Sequence, residues 1–410
     1  MKQYVILGNG TAAVGCVEGI RSIDPKGKIT IVSEEKHAVY SRPLISYYLE
    51  GKTDLERMKY RGDSFYDDNA CHVLYGTKAV SIDPKKKQVA LKDRSVLDYD
   101  ALCVATGSRP FVPPFEGLET VENKFSFMKL DDALDLEKAL TKDARVLIVG
   151  AGLIGLKCAE GIRDRVGEIT VCDLADRVLS SILDADCAKL VQKHLEANGL
   201  HFLLGDTAVR FEKNKAVMKS GKTVAFDILV LAVGVRANTE LVKDAGGNVN
   251  RGIVVTETMQ TSLPCVFAAG DCAEGFDSSI GANRVLAILP NAYLQGHTAG
   301  VNMAGGNERL TNAIPMNSIG FFGYHIMTAG AYDGEMIEEK TGSGVKRFFV
   351  SDKLLKGYIL LGEIERAGIY TSLIREKTPL DTIDFDLMKK VATNMIYSEK
   401  DRRKTFGDVV

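Results

Sequence analysis

The chain has no tryptophan, and only 10 of its 410 residues are proline. Its longest apolar runs, such as that around Val146 to Ile148, are strand-sized; a membrane-spanning helix needs about 20 consecutive apolar residues, so no span is expected. An excess of one charge is also missing: 52 Lys and Arg stand against 54 Asp and Glu, a net charge of −2. No global field therefore draws the chain to nucleic acid or to an anionic membrane. Eight cysteines are present, but none forms C-x-x-C or C-x-x-x-x-C. They sit in apolar surroundings such as Leu102-Cys103-Val104, which suits reduced, buried thiols rather than a disulfide framework. The six histidines show no ligand spacing, so no metal site is expected. The chain opens on the apolar segment Tyr4-Val5-Ile6-Leu7 with no signal-peptide pattern ahead of it, and the expected location is cytoplasmic. The length suits two or three domains.

What is present is one pattern written twice. Tyr4-Val5-Ile6-Leu7 leads into Gly8-Asn9-Gly10-Thr11-Ala12-Ala13, a helical stretch to about Ser22, and a second apolar segment, Ile29 to Val32, ending in Ser33-Glu34-Glu35. Arg145 to Val149 leads into Gly150-Ala151-Gly152-Leu153-Ile154-Gly155, a helical stretch to about Arg165, and Glu168 to Cys172, ending in Asp173. A further matching segment closes each copy: Leu102-Cys103-Val104-Ala105-Thr106-Gly107 and Leu229-Val230-Leu231-Ala232-Val233-Gly234. Strand, glycine-rich turn, helix, strand and acid make the βαβ unit that binds a dinucleotide. The expected fold class is α/β, with two nested Rossmann-like dinucleotide-binding domains. From Thr311 onward, short strands and two helical stretches replace the pattern, and a C-terminal α+β domain is expected there.

The chemistry follows from the turns. Gly8 makes the tight turn, Gly10 lets the backbone approach a pyrophosphate, and the helix N-terminus at Thr11, Ala12 and Ala13 supplies free N–H groups and partial positive charge. Ala13 takes the third glycine position. Glu34 is the candidate for gripping a ribose hydroxyl, although Ser33 could occupy the nominal position. In the second copy Gly150, Gly152 and Gly155 are all present, with Ile154 beside the last. Asp173 lies about 20 residues beyond Gly152, where a carboxylate accepts from a ribose 2′-OH and repels a 2′-phosphate. NADH is therefore expected over NADPH, with Arg177 nearby able to soften the preference.

Two nested units followed by the Gly270-Asp271 strand end resemble the pyridine nucleotide–disulfide oxidoreductase superfamily. The likeness extends to Tyr40-Ser41-Arg42-Pro43-Leu44-Ile45-Ser46 and is greatest to the rubredoxin reductase group and to the flavin module of nitrite reductases. The resemblance implies FAD on residues 1–111 with 237–311, NADH on residues 112–236, and an interface domain over residues 312–410 that often makes a homodimer contact. It implies that Asp271 bonds the ribityl chain and that Ala105, Thr106 and Gly107 pass close to FAD. It further implies that Arg42 and Pro43 line the flavin and that the helix start at Asn291-Ala292 faces its pyrimidine edge.

Departures from the family pattern are as informative. No Cys lies between Cys16 and Cys71, so the redox cysteines of the disulfide reductases are missing and electrons should leave the flavin directly for an external acceptor, such as a small redox protein. The glutamate usual two residues after the third glycine is Lys157 here, and the lysine commonly paired with it is Tyr47. Lys157 is expected to aim a cation at the flavin–nicotinamide gap and favour hydride acceptance. Cys16 and Cys158 are expected to be packing residues, and His325 a packed sheet histidine. An NADH oxidase, a small-molecule reductase component (nitrite-type or disulfide) and a slowly turning redox sensor are the rival readings. The helix expected over Phe385 to Tyr397 presents Phe385, Met388, Val391, Ala392, Met395 and Ile396 on one face, and residues 399–404 are read as a solvated tail.

Overall fold

A computed structural model describes residues 1–390; Val391, Ala392, Met395, Ile396 and the 399–404 tail lie outside the described residues. The chain divides into two compact units, Met1–Gly275 with Asn283–Leu310, and Phe276–Ala282 with the chain from Thr311 onward.

The first unit holds the duplicated pattern as two five-stranded sheets. In one, Gln3–Leu7 is central, paired parallel with Lys28–Val32 on one side and Ala101–Val104 on the other; Cys71–Leu74 and Val266–Ala268 complete it. In the other, Arg145–Val149 is central between Glu168–Asp173 and Ile228–Leu231, with Leu200–Leu204 and Lys124–Phe125 outermost. The central strands are buried from Tyr4 to Leu7 and from Val146 to Val149, as expected of parallel strands covered on both faces. In each sheet the chain leaves the central strand at the point where strand order reverses, which is where α/β sheets bind ligands. The duplication also extends to two small antiparallel sheets that period-2 reading missed, Ala79–Asp83 with Gln88–Leu91 and Val96–Asp98, and Ala208–Glu212 with Lys215–Met218 and Thr223–Ala225. A two-stranded ribbon, Ser108–Pro110 against Val235–Ala237, joins the two halves.

Helix Thr11–Ile23 packs on helix Leu289–Ala304, which starts two residues before the Asn291 expected from sequence. Glycines set the approach. A Cβ on Gly15 or Gly19 would lie 2.3 Å from the carbonyl oxygen of Tyr293 or His297, and one on Gly296 or Gly300 would lie 2.0 or 2.1 Å from that of Ala12 or Cys16. Glycines four apart share a helix face, so the two backbones touch along a full turn and the N-terminus of the second helix is located by main chain rather than by side chains.

In the second unit the antiparallel order is Met316–Phe321, Tyr324–Gly330, Leu354–Leu361, Val345–Ser351 and Glu335–Lys340. Its core gathers Phe348, Tyr358, Leu360 and Tyr370, the last on helix Ala367–Arg375. The sequence reading missed Glu335–Lys340 because an exposed edge strand reading Glu-Met-Ile-Glu-Glu-Lys carries little apolar alternation. His325, expected to be packed, stands exposed on its strand. Among the described residues no helix is long and apolar enough to cross a membrane.

Replacing Gly300 by alanine forces a methyl group against backbone, and overpacking of this kind costs about 1–3 kcal/mol. Chemical denaturation of Gly300→Ala should show that loss, whereas Gly62→Ala, with open space around the added methyl, should stay within about 0.5 kcal/mol of the parent.

Candidate functional site

Both turns are built by the same collision. Gly8 has φ +114°, and a Cβ there would lie 2.1 Å from the carbonyl oxygen of Ala105; Gly150 has φ +119°, and its Cβ would lie 2.2 Å from that of Ala232. Only glycine meets both demands. Their N–H groups donate to Val32 and Cys172 carbonyls, each at 2.8 Å. Gly10 and Gly152 then stand at the N-caps of helices Thr11–Ile23 and Leu153–Ile162 in extended conformation, without a side-chain cap. Nothing lies within 4 Å of the Cβ either would carry. Each helix thus opens its first-turn N–H groups onto a bare cradle, the arrangement that takes a phosphate. Gly155 has no freedom, since its Cβ would meet the Gly150 carbonyl oxygen at 2.0 Å; the first copy accommodates Ala13 there, fully buried. Ile154 is partly exposed on the first turn of the second helix.

The first cradle carries an unmet bond. Asn9, between Gly8 and Gly10, accepts from the Tyr66 hydroxyl at 2.8 Å through Oδ1, while its Nδ2 is buried without a partner. Buried donors in proteins are nearly always satisfied, so this atom fits an acceptor supplied from outside the chain.

Polar groups converge beside it. Gly270, at φ +82°, donates its N–H to Gln295 Oε1 at 2.8 Å, and a Cβ on it would lie 3.1 Å from that of Ala12 and 3.7 Å from that of Ala292. Ala12, Gly270 and Ala292 are thereby brought together, with Asn291 buried next to them. Asp271 accepts from the Ser108 hydroxyl at 3.1 Å; burial pushes its carboxyl up, against the downward pull of Ser108 and of the Arg42 charge. Arg42 donates to Glu35 Oε1 at 2.5 Å and to the Tyr40 hydroxyl at 3.2 Å. Burial opposes its charge, but Tyr40, Glu35 and Asp271 outweigh that and hold the guanidinium above its ordinary value. The Tyr40 hydroxyl donates to Glu35 Oε2 at 2.7 Å and accepts from Leu130 N at 2.8 Å.

The structure turns Glu34 away from this group. Its side chain is 59% exposed and lies 3.6 Å from Lys78, while the Glu35 side chain is only 14% exposed. Between the strand and the two acids, buried Ser33 donates its hydroxyl to the Glu35 carbonyl oxygen at 2.8 Å. The closing segments follow the same logic. Gly107 and Gly234 both take positive φ with open space around them, and Asn238 staples the first by donating Nδ2 to the Thr106 carbonyl at 2.8 Å and accepting the Thr106 hydroxyl on its own carbonyl at 3.0 Å. Ala105 hands its N–H to the Leu7 carbonyl. Asn238 and Gln295 carry no motif, and sequence reading had no signal for them; Glu35 and Tyr40 stood in recognised segments but were given no role there.

In the second cradle Asp173 accepts from Ala151 N at 2.7 Å and Ala175 N at 2.8 Å, which holds its carboxylate against the glycine turn. Arg177 is engaged elsewhere, with Asp176 at 2.8 Å and the Leu183 carbonyl at 3.2 Å. Lys157 and Tyr47, paired from sequence, do meet: the Lys157 ammonium sits 4.5 Å from the centre of the Tyr47 ring, and it also pairs with buried Glu160. Lys157 is thus a half-buried cation rather than an exposed helix lysine. Pro43 opens the adjoining helix Leu44–Leu49, which packs so closely that a Cβ on Gly161 would lie 2.7 Å from the Ser46 carbonyl oxygen. All eight cysteines are free, Cys16 and Cys158 are buried as expected, and burial pushes Cys272 up to about 11, which leaves it inert as a nucleophile.

Since burial raises the Asp271 carboxyl, the folded ligand-free chain holds that proton to a higher pH than the unfolded chain does. Its contribution to stability falls as pH rises from about 4, the unfolded value, through the raised folded value, and stays low above it. Asp271→Asn should therefore raise the thermal midpoint of the ligand-free protein at pH 7 and lose that advantage below about pH 4; a lowered midpoint at pH 7 would refute the burial argument.

Comparison with known proteins agrees with this geometry. A sequence profile described as pyridine nucleotide-disulphide oxidoreductase matches residues 2–296. The chain is 32% identical to the NADH-dependent phenylglyoxylate dehydrogenase subunit epsilon of Aromatoleum evansii, covering 92% of each protein. It is 31% identical to the rubredoxin-NAD(+) reductase of Pseudomonas putida, over 73% of this chain and 80% of that one. A solved covalent putidaredoxin reductase–putidaredoxin complex has the same fold, with TM-score 0.87 and 24% identity over 100% of this chain and 99% of that one. With two alike glycine cradles and a matching profile over most of its length, the chain belongs to the pyridine nucleotide-disulphide oxidoreductase family, whose members are FAD-dependent NAD(P)H oxidoreductases.

Proposed function

We propose that the chain takes a hydride from NADH on the 112–236 half, passes it to FAD held by residues 1–111 and 237–311, and delivers the electrons to a separate redox protein, with residues 312–410 as the interface domain. The carrying observation is the pair of matched cradles, Gly8 with Gly10 and Gly150 with Gly152, of which only the first faces the Arg42, Glu35 and Asp271 cluster.

Gly10, the helix start and the unpaired Asn9 Nδ2 suit the pyrophosphate of FAD, Arg42 lies beside it as counter-charge, and Glu35 replaces Glu34 as the carboxylate for the adenosine ribose. Asp271 and Ser108 suit the ribityl chain, and the main-chain-located helix start at Asn291 and Ala292 suits the flavin pyrimidine edge. Bound FAD supplies the conversion of one hydride into two single electrons. Asp173, fixed by two backbone donors, is placed to accept from a ribose 2′-OH and to repel a 2′-phosphate; with Arg177 already paired, NADH is favoured. Lys157, held by Glu160 and the Tyr47 ring, places its cation on the helix that begins at the NADH cradle, and Pro43 starts the segment packed against it. With no cysteine pair spaced for dithiol chemistry, the electrons have no covalent relay within the chain. The likeness to a rubredoxin-NAD(+) reductase supports a small electron carrier as acceptor. The end-to-end match to a dehydrogenase subunit favours a second reading, a fixed subunit that returns electrons to NAD+.

Anaerobic addition of NADH should bleach the yellow protein, and a rubredoxin should restore the colour; restoration only by air would make the chain an oxidase, and bleaching by NAD+-reversible equilibrium without any carrier would favour the subunit reading. Asp173→Ala should raise the apparent KM for NADH roughly tenfold, the loss of about one hydrogen bond to a charged group, while leaving NADPH nearly unaffected. Lys157→Met should lower the flavin midpoint potential and slow bleaching; unchanged values of both would remove Lys157 from the mechanism.

A further inference from the structure

We infer that a groove beside the ribbon joining the two halves docks a carboxylate-rich face of the electron-carrying protein; this rests on the acceptor reading above. The groove encloses about 640 Å³ and is lined by Arg109, Arg236, Arg251, Phe111 and Val112, with Glu240 as its one carboxylate. Three cations against one anion make a local excess on a chain whose net charge is −2.

The excess is built into the backbone. Arg109 and Arg236 are direct partners across the two antiparallel strands, and like charges placed opposite one another destabilise a ribbon. Arg109 is compensated by Glu240 at 2.6 Å and by Asn238 at 2.7 Å. Arg236 lies 4.5 Å from the centre of the Phe111 ring, and neither it nor Arg251 has a carboxylate partner among the described residues. An exposed apolar group flanks them, Val112 at 46%. Arginine on an aromatic ring with an exposed aliphatic neighbour is the composition enriched at protein interfaces, and the unpaired guanidinium groups call for carboxylates in fixed positions. Strand alternation adds the functional link. Ser108 points to Asp271, the carboxylate assigned to the ribityl chain, and the next residue, Arg109, faces the other way into the groove. A partner seated there is one strand thickness from the cofactor-binding side.

The test uses the FAD-loaded protein with Arg236→Glu and Arg251→Glu combined, an acidic rubredoxin as electron acceptor, the uncharged quinone menadione as a control acceptor, and a control protein bearing Lys85→Glu and Lys86→Glu, which makes the same change of charge on an exposed turn. The groove variant should raise the KM for rubredoxin at least tenfold at low salt and approach the parent at high salt, with NADH bleaching and menadione turnover unchanged; the Lys85/Lys86 control should change far less. An unchanged rubredoxin KM, an equal effect of the control pair, or an equal loss with menadione overturns the docking surface. Inorganic pyrophosphate that blocks rubredoxin reduction in the parent but not in the groove variant would make this a small-anion site instead. If the parent bleaches with NADH yet reduces no rubredoxin, the acceptor reading fails by itself, and retention on an immobilised oligoglutamate peptide decides the surface: selective loss in the groove variant sustains it, and retention equal to the Lys85/Lys86 control overturns it.

Discussion

The structure depends on main chain meeting main chain without an intervening side chain. At Gly8 and Gly150 the turn after the central strand lies against the closing segment at Ala105 and Ala232, at a distance that leaves no room for a Cβ. That contact aims the next helix so that its first N–H groups open beyond the strand ends. A methyl group at either position would push the turn away from its closing segment and tilt the helix start off the cradle. Gly15, Gly19, Gly296 and Gly300 repeat the device between helices Thr11–Ile23 and Leu289–Ala304, so two helix N-termini that flank the first cradle are located by the same rigid means.

On that frame the two cradles differ at the third glycine position, Ala13 against Gly155, and in what surrounds them. The first gathers a half-buried cation, Arg42, between two carboxylates, Glu35 and Asp271, and leaves Asn9 Nδ2 unsatisfied. These groups cost free energy to bury without a ligand, and a charged, hydroxyl-rich molecule would offset that cost. The second gathers less: Asp173 is already satisfied by two backbone donors, which suits a dinucleotide that must come and go.

The half-buried Lys157 shows how a family scaffold tolerates an altered charge. Its carboxylate partner is Glu160, three residues on along the same helix, and the Tyr47 ring covers its other side. The ammonium is thus held between a carboxylate and a ring face, two groups that attract a cation.

By itself the sequence determined the duplicated βαβ units, the turn glycines, the parallel central strands and the missing redox cysteines, because each depends on local conformation or on spacing along the chain. The φ values of +114° and +119° at Gly8 and Gly150 permit glycine and little else, and strands buried on both faces read as continuous apolar runs. Only the tertiary structure turned Glu35 toward Arg42 and left Glu34 exposed beside Lys78, because adjacent residues point to different sides. Tertiary contact likewise recruited Tyr40, Asn238 and Gln295, polar residues whose partners lie 90, 132 and 25 positions away. It also paired Arg109 with Arg236 across the ribbon, for the same reason: their spacing is a property of the folded backbone, and no pattern along the chain encodes it.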